Sequence, residues 1–153
     1  MSEITENTEE RRVGTRRMID NLLAERQQML VAFCELAGLE PYQPEKPVKG
    51  QIDAFCQLLM DYTAFGHFEL NRRFSEGCER RESAREAIAV GYENIAAVTD
   101  EAVGFNDKYD SSSQPLDLGS LPHDLSRLGE RLAQLFEAED RVIRALLRDI
   151  DGV

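Results

Sequence analysis

Two stretches of this chain place apolar residues at alternating steps of four and three, and that spacing decides the fold. In the first, Ala84, Ile88, Gly91, Ile95, Val98, Ala102, Phe105 and Tyr109 occupy heptad positions. In the second, Leu121, Leu125, Leu128, Leu132, Leu135, Val142 and Leu146 do the same, with Glu139 at the one charged place. Side chains three and four residues apart share a face of an α-helix, so each stretch is a helix with one continuous buried seam. A half-buried strand needs alternation by two, which neither stretch has.

Two further helices follow from looser versions of the same pattern. The first is predicted over Arg16–Ala37, with Met18, Ile19, Leu22, Leu23, Met29, Leu30, Phe33 and Leu36 inward. Gly38 stands where a C-terminal cap belongs, and Pro41, Pro44, Pro47 and Gly50 forbid regular structure across the next loop. The second helix is predicted over Gln51–Ser75, with Ile52, Phe55, Leu59, Tyr62, Gly66 and Leu70 inward and Gly77 ending it. The third spans Glu82–Tyr109, with a capping box at Ser83 and Glu86. Asp110, Ser111, Ser112, Ser113 and Pro115 break the chain, and Ser120 caps a fourth helix that carries Pro122 in its first turn and reaches Ile150.

The predicted fold class is therefore all-α, an antiparallel up-down four-helix bundle with an N-terminal helical lead-in. Residues 1–153 suit a single domain, with 1–15 loosely ordered. Leu22, Phe33, Phe55, Leu59, Ile95, Val98, Leu128 and Leu135 are expected inside.

Composition narrows the function. Asp and Glu total 29 against 18 Lys and Arg, a net charge of −11. Such a surface repels phosphate, which disfavours direct nucleic-acid binding; it either attracts a basic partner or only keeps the protein soluble. Cys34, Cys56 and Cys78 are odd in number and match no metal spacing, which fits reduced thiols in the cytoplasm. Met1–Arg17 has no apolar signal core, and no segment approaches the ~18 apolar residues that span a bilayer, so no membrane role is expected.

One layer of the bundle reads as polar. Arg26 and Glu139 sit at core positions, and in an antiparallel bundle they fall near one level with Gly66, His67, Gly91 and Tyr92. The glycines leave room for long side chains. Arg26 and Glu139 are expected to pair, with His67 or Tyr92 close by. Such a layer either fixes helix register or opens a pocket for a ligand or partner.

Catalytic and metal chemistry find no support. A di-iron bundle needs Glu from two helices and Glu-x-x-His from the others. Only His67 and His123 occur, and Ala64 and Ser120 stand where that Glu would be. No cysteine or histidine lies in a nucleophile motif and no phosphate-cradling glycine loop exists, so neither an enzyme nor a cofactor is expected.

The second helix carries Phe55-Cys56-Gln57, Asp61-Tyr62 and Gly66-His67-Phe68. With Glu25-Arg26 and Leu30-Val31-Ala32-Phe33 before it, and Tyr109-Asp110-Ser111-Ser112, Phe136 and Glu139-Asp140 after it, the chain resembles the Rsd/AlgQ family of bacterial sigma-factor regulators over about residues 10–148. The resemblance implies a stationary-phase anti-sigma factor. Its partner is the C-terminal domain of the primary sigma factor, a basic helix-turn-helix that reads the −35 element. A monomer or weak homo-oligomer is expected, with no cofactor. On this reading Asp61 and Asp140 face the basic partner, Phe65 and Phe68 anchor it, and Tyr62 and His67 support the site from the polar layer. The other reading from the residues is a small-ligand sensor built on Arg26, Glu139 and Tyr92.

Overall fold

The computed structural model describes residues 2–43, 46–75, 82–109 and 117–151. It contains α1 (Ser2–Ala37), α2 (Val48–Ser75), α3 (Glu82–Lys108) and α4 (Leu121–Asp151), and no strand among the described residues. Successive helices pack side by side, and α1 closes on α4 less tightly than any other neighbouring pair meets. This is the expected antiparallel bundle.

The two heptads are buried as the spacing requires. From Ile88 to Tyr109 and from Leu121 to Leu146, every described seam residue is buried, Glu139 included. Phe55 joins the layers, ring edge against Phe33 at 5.6 Å and against Phe105 at 5.8 Å between centroids.

Four expectations need correction. α1 starts at Ser2 and not at Arg16: the lead-in continues the same helix through Gly14, with Thr15 already buried. Glu and Arg are good helix formers. α2 starts at Val48, not Gln51. Pro47 lies just before its first turn and accepts from the Gln51 N–H at 3.2 Å, so proline opens the helix, and Gly50 does not break it. Ser120 caps α4 with its backbone carbonyl, which accepts from Asp124 N–H at 3.0 Å. Its hydroxyl instead donates to Asp117 at 2.6 Å. Finally, Phe33 is only half-buried and Leu23 is exposed, because both lie on the open α1–α4 side.

Lys46 stitches the first loop by donating to the carbonyls of Leu39 at 2.8 Å and Pro41 at 2.9 Å. Pro44, Gly77, Cys78, residues 110–113 and Pro115 lie outside the described residues, as do the side chains of His67, Leu70, Ser83 and Ala84. Among the described residues no helix is long and apolar enough to cross a membrane.

Candidate partner-binding site

The polar layer forms where α1, α2 and α4 meet. Arg26 Nη2 of α1 donates to Glu139 Oε1 of α4 at 3.1 Å, and Nη1 donates to Asp140 Oδ1 at 3.0 Å. The Tyr62 hydroxyl of α2 donates to the same Glu139 Oε1. Phe136, one turn before Glu139, lies under the guanidinium at 4.9 Å and edge-on to Tyr62 at 6.2 Å. The pair expected from the heptad is thus in contact, and Tyr62 is its third member. Tyr92 is half-buried on α3.

Glycine makes the layer possible. A Cβ on Gly66 would come 2.7 Å from Ile95 Cδ1 and 3.8 Å from Glu139 Oε2. Gly91 is buried as well. Along the α1–α4 seam a Cβ on Gly129 would meet the half-buried Phe33 ring at 3.1 Å, a milder contact.

Burial sets the electrostatics. Glu139 is 1% exposed, and desolvation pushes its carboxyl up to about 7 despite the hydrogen bond from Tyr62 and the charge of Arg26. Desolvation and the Glu139 charge push the Tyr62 phenol well above its usual range. Glu139 Oε2 and Arg26 Nε, both buried, find no hydrogen-bond partner. Glu139 lines a void of about 10 Å³ with Met18, Leu22, Gly66 and Val142.

The other predicted residues spread over two grooves. Asp61 is exposed on α2 and accepts from Gln57 at 3.1 Å. Its nearest acidic neighbour on α1 is Glu25, whose carboxyl is raised by desolvation first and by Asp61 second. Phe68 follows on the same helix and is 63% exposed, whereas Phe65 is half-buried against the core. Asp140 is exposed but faces the α1–α4 seam. Glu25 and Arg26 are consecutive residues and point about 100° apart. Asp61 with Phe68 and Asp140 therefore flank α1 on opposite sides and do not form one patch. Phe136 and Gly129 were not predicted as site residues; Phe136 carries part of the family resemblance and stands at i−3 from Glu139, whereas the one signal of Gly129 is its position at i−10 beside the seam.

Cys34 is exposed and Cys56 buried, and both are free. Burial first, then Asp53, pushes the Cys56 thiol up to about 12, which makes it inert. Among the described residues no group of three or more His, Cys, Asp or Glu is gathered as a metal site. A recess of about 220 Å³ opens elsewhere, between α3 and α4, over Gly104, Phe105 and Leu128.

Comparison with known proteins gives a consistent answer. The family described as regulator of RNA polymerase sigma(70) subunit, Rsd/AlgQ, matches residues 1–147. The regulator of sigma D of Escherichia coli O1:K1 is 30% identical over 148 residues, covering 93% of this chain and 91% of that protein. The regulator of sigma D of Yersinia enterocolitica serotype O:8 is 27% identical over 137 residues, covering 86% of this chain and 81% of the relative. No solved structure matches the chain. With its bundle, its helix-two motif and a match over nearly its whole length, the chain belongs to the Rsd/AlgQ family of sigma-factor regulators.

Proposed function

We propose that this protein binds the C-terminal, −35-reading domain of the primary sigma factor and withholds it from RNA polymerase and promoter DNA. It acts as a binding protein in the cytoplasm, where the polymerase works, and catalyses nothing. The observation that carries the reading is the α1–α2 groove. Glu25 and Asp61 hold like charges side by side there, and Phe68 stands 63% exposed on the same face of α2. A helix-turn-helix that reads DNA offers cations for the acids, and its apolar edge covers the ring. The chain's net charge of −11 speeds the approach of such a partner. The family and the names of its relatives support a sigma factor as that partner.

The ligand-sensor reading gains nothing from the polar layer. The void beside Glu139, about 10 Å³, holds a water molecule at most.

Titration of the isolated sigma domain tests the proposal. Wild type should bind at micromolar concentration or better, with an on-rate that falls as salt rises. Asp61→Lys and Phe68→Ala should each weaken binding about tenfold or more. Absence of wild-type binding sinks the assignment. Binding that neither variant touches moves the site away from this groove.

A further inference from the structure

The layer contains an unmatched donor and an unmatched acceptor on the two halves of one ion pair. Arg26 presents Nη2 to Glu139 and Nη1 to Asp140, so its fork is split between two carboxylates. The cost is visible at both partners: Arg26 Nε and Glu139 Oε2 are buried and unpaired. A guanidinium that meets one carboxylate side-on uses Nε and Nη2 together against both oxygens. Arg26 and Glu139 have those groups, and the hold on Asp140 keeps them from pairing that way.

Asp140 is the movable member of the set. Its side chain is 51% exposed, against 13% for Arg26 and 1% for Glu139. Phe136 lies beside it, half-buried, with its ring already under a guanidinium. A carboxylate at the mouth of a seam with an aromatic face next to it is a subsite for a cation, and Arg26 occupies it from within.

We propose that Asp140 and Phe136 form a second contact point for the basic partner, and that an arginine or lysine of the partner takes Asp140 from Arg26, which then closes side-on against Glu139. The exchange conserves charge pairs: one bridge moves inward and one is made outward. It also satisfies both orphaned atoms. The proposal rests on the anti-sigma reading for the identity of the partner, but the exchange itself is a property of this seam.

The exchange requires an ionised Glu139, because a neutral acid cannot hold Arg26 once Asp140 is gone. The groups that bear on Glu139 are Arg26 from α1, Tyr62 and Glu69 from α2, and Asp140 from α4. From α3, Ile95 packs at Gly66, and Tyr92 stands one turn before it. His67 occupies the same stretch of α2. Burial puts the Glu139 carboxyl at about 7. The competent, ionised fraction therefore drops about tenfold between pH 8 and pH 6, and apparent affinity for the partner drops with it.

The experiment is a titration of the sigma domain at pH 6, 7 and 8 with four proteins, their folding checked by circular dichroism. Wild type should weaken about tenfold from pH 8 to pH 6. Glu139→Gln, although out of the partner's reach, should bind about tenfold more weakly at pH 8 and without that pH dependence. Asp140→Asn should be weak at every pH. The decisive protein is Arg26→Met/Glu139→Gln: with no internal cation on Asp140, binding should return to the wild-type level and stay flat with pH. A merely structural role for Glu139 would leave the double variant at least as weak as the single one, and that result overturns the proposal. If the double variant does not fold, the nitrogen resonance of Arg26 Nε decides. It should move on addition of ethylguanidinium to wild type and stay still in Asp140→Asn; an unmoved signal in wild type also overturns the exchange. The ethylguanidinium arm stands even if the sigma domain fails to bind, so the two readings fail separately.

Discussion

Replacing Tyr62 with phenylalanine removes one oxygen from a residue with no exposed surface and leaves the ring in place. What is lost is a hydrogen bond donated to Glu139 Oε1, a carboxylate oxygen 1% exposed and shared with Arg26. A hydrogen bond to a charged group contributes about 1.5–3 kcal/mol, and here no water replaces the lost donor. Tyr62→Phe should therefore cost about 2 kcal/mol near neutral pH and above, or about 4–8 °C in Tm for a chain of this size. The pH dependence carries a sign. The Glu139 carboxyl lies at about 7, above the ordinary 4.5, and loses a stabilising donor in the variant, so it rises further. At pH 5 the acid is neutral in both proteins and the difference shrinks to that of a neutral hydrogen bond, about 1 kcal/mol. As pH rises through 7 the wild type ionises with its donor and the variant without, and the gap widens. Urea unfolding at pH 5, 7 and 8.5 measures this. Tyr109→Phe is the comparison, because its hydroxyl donates at 2.6 Å to Asp124, a partly exposed carboxylate that Lys108 also holds at 2.7 Å. A Tyr62 loss no larger than the Tyr109 loss, or one that narrows above pH 7, would refute the buried-carboxylate account.

Gly66→Ala should lower stability by about 1 kcal/mol, since overpacking against buried Ile95 Cδ1 at 2.7 Å outweighs the gain in helix propensity. Adding Ile95→Val, which removes that methyl, should recover part of the loss; unfolding curves that add independently would disprove the clash. Gly129→Ala should instead be neutral or stabilising by up to about 1 kcal/mol, because the half-buried Phe33 ring at 3.1 Å has room to tilt. In a Cys78→Ser background one thiol per chain, Cys34, should react with a disulfide reagent in the native state and a second, Cys56, only after unfolding; equal native rates would contradict the burial of Cys56.

The fold was legible because each described seam position of the α3 and α4 heptads is a buried position in the bundle, even though α4 is packed closely on α3 and loosely on α1. α1 was less so. Its apolar stripe is wider than the face its neighbours cover, and Leu23 and half of Phe33 spill onto the loose α1–α4 side. Helix starts were misplaced where a single residue was read as a stop: Pro47 and Gly50 sit at or inside the beginning of α2, where neither breaks a backbone bond. Arg26 and Glu139 stood out as charges in apolar registers. Tyr62 was expected to support the site from the polar layer, but its hydrogen bond to Glu139 was not, because nothing in a sequence says where a hydroxyl on an inward ring will point. The split of the acidic residues across α1 was also hidden. Asp61 and Asp140 read as equivalent exposed acids, and only the order of helices around the bundle sets them apart.

The loose closure of α1 on α4 also sets how the molecule opens. α1 is held along one flank by α2 and along the other by the Gly129 approach, the Arg26 bridges and the apolar cluster of Met18 and Leu22 with Val142 and Leu146. Detaching it exposes less apolar surface than detaching α2 or α3, each of which is packed closely on both sides. Backbone amides of α1 should then exchange with solvent through a partial opening that spares α2 and α3, whose amides exchange only with global unfolding. The loose seam makes α1 and α4 the two helices with one close neighbour each, and a partner that grips both sides of α1 should slow amide exchange in α1 more than in α2 or α3.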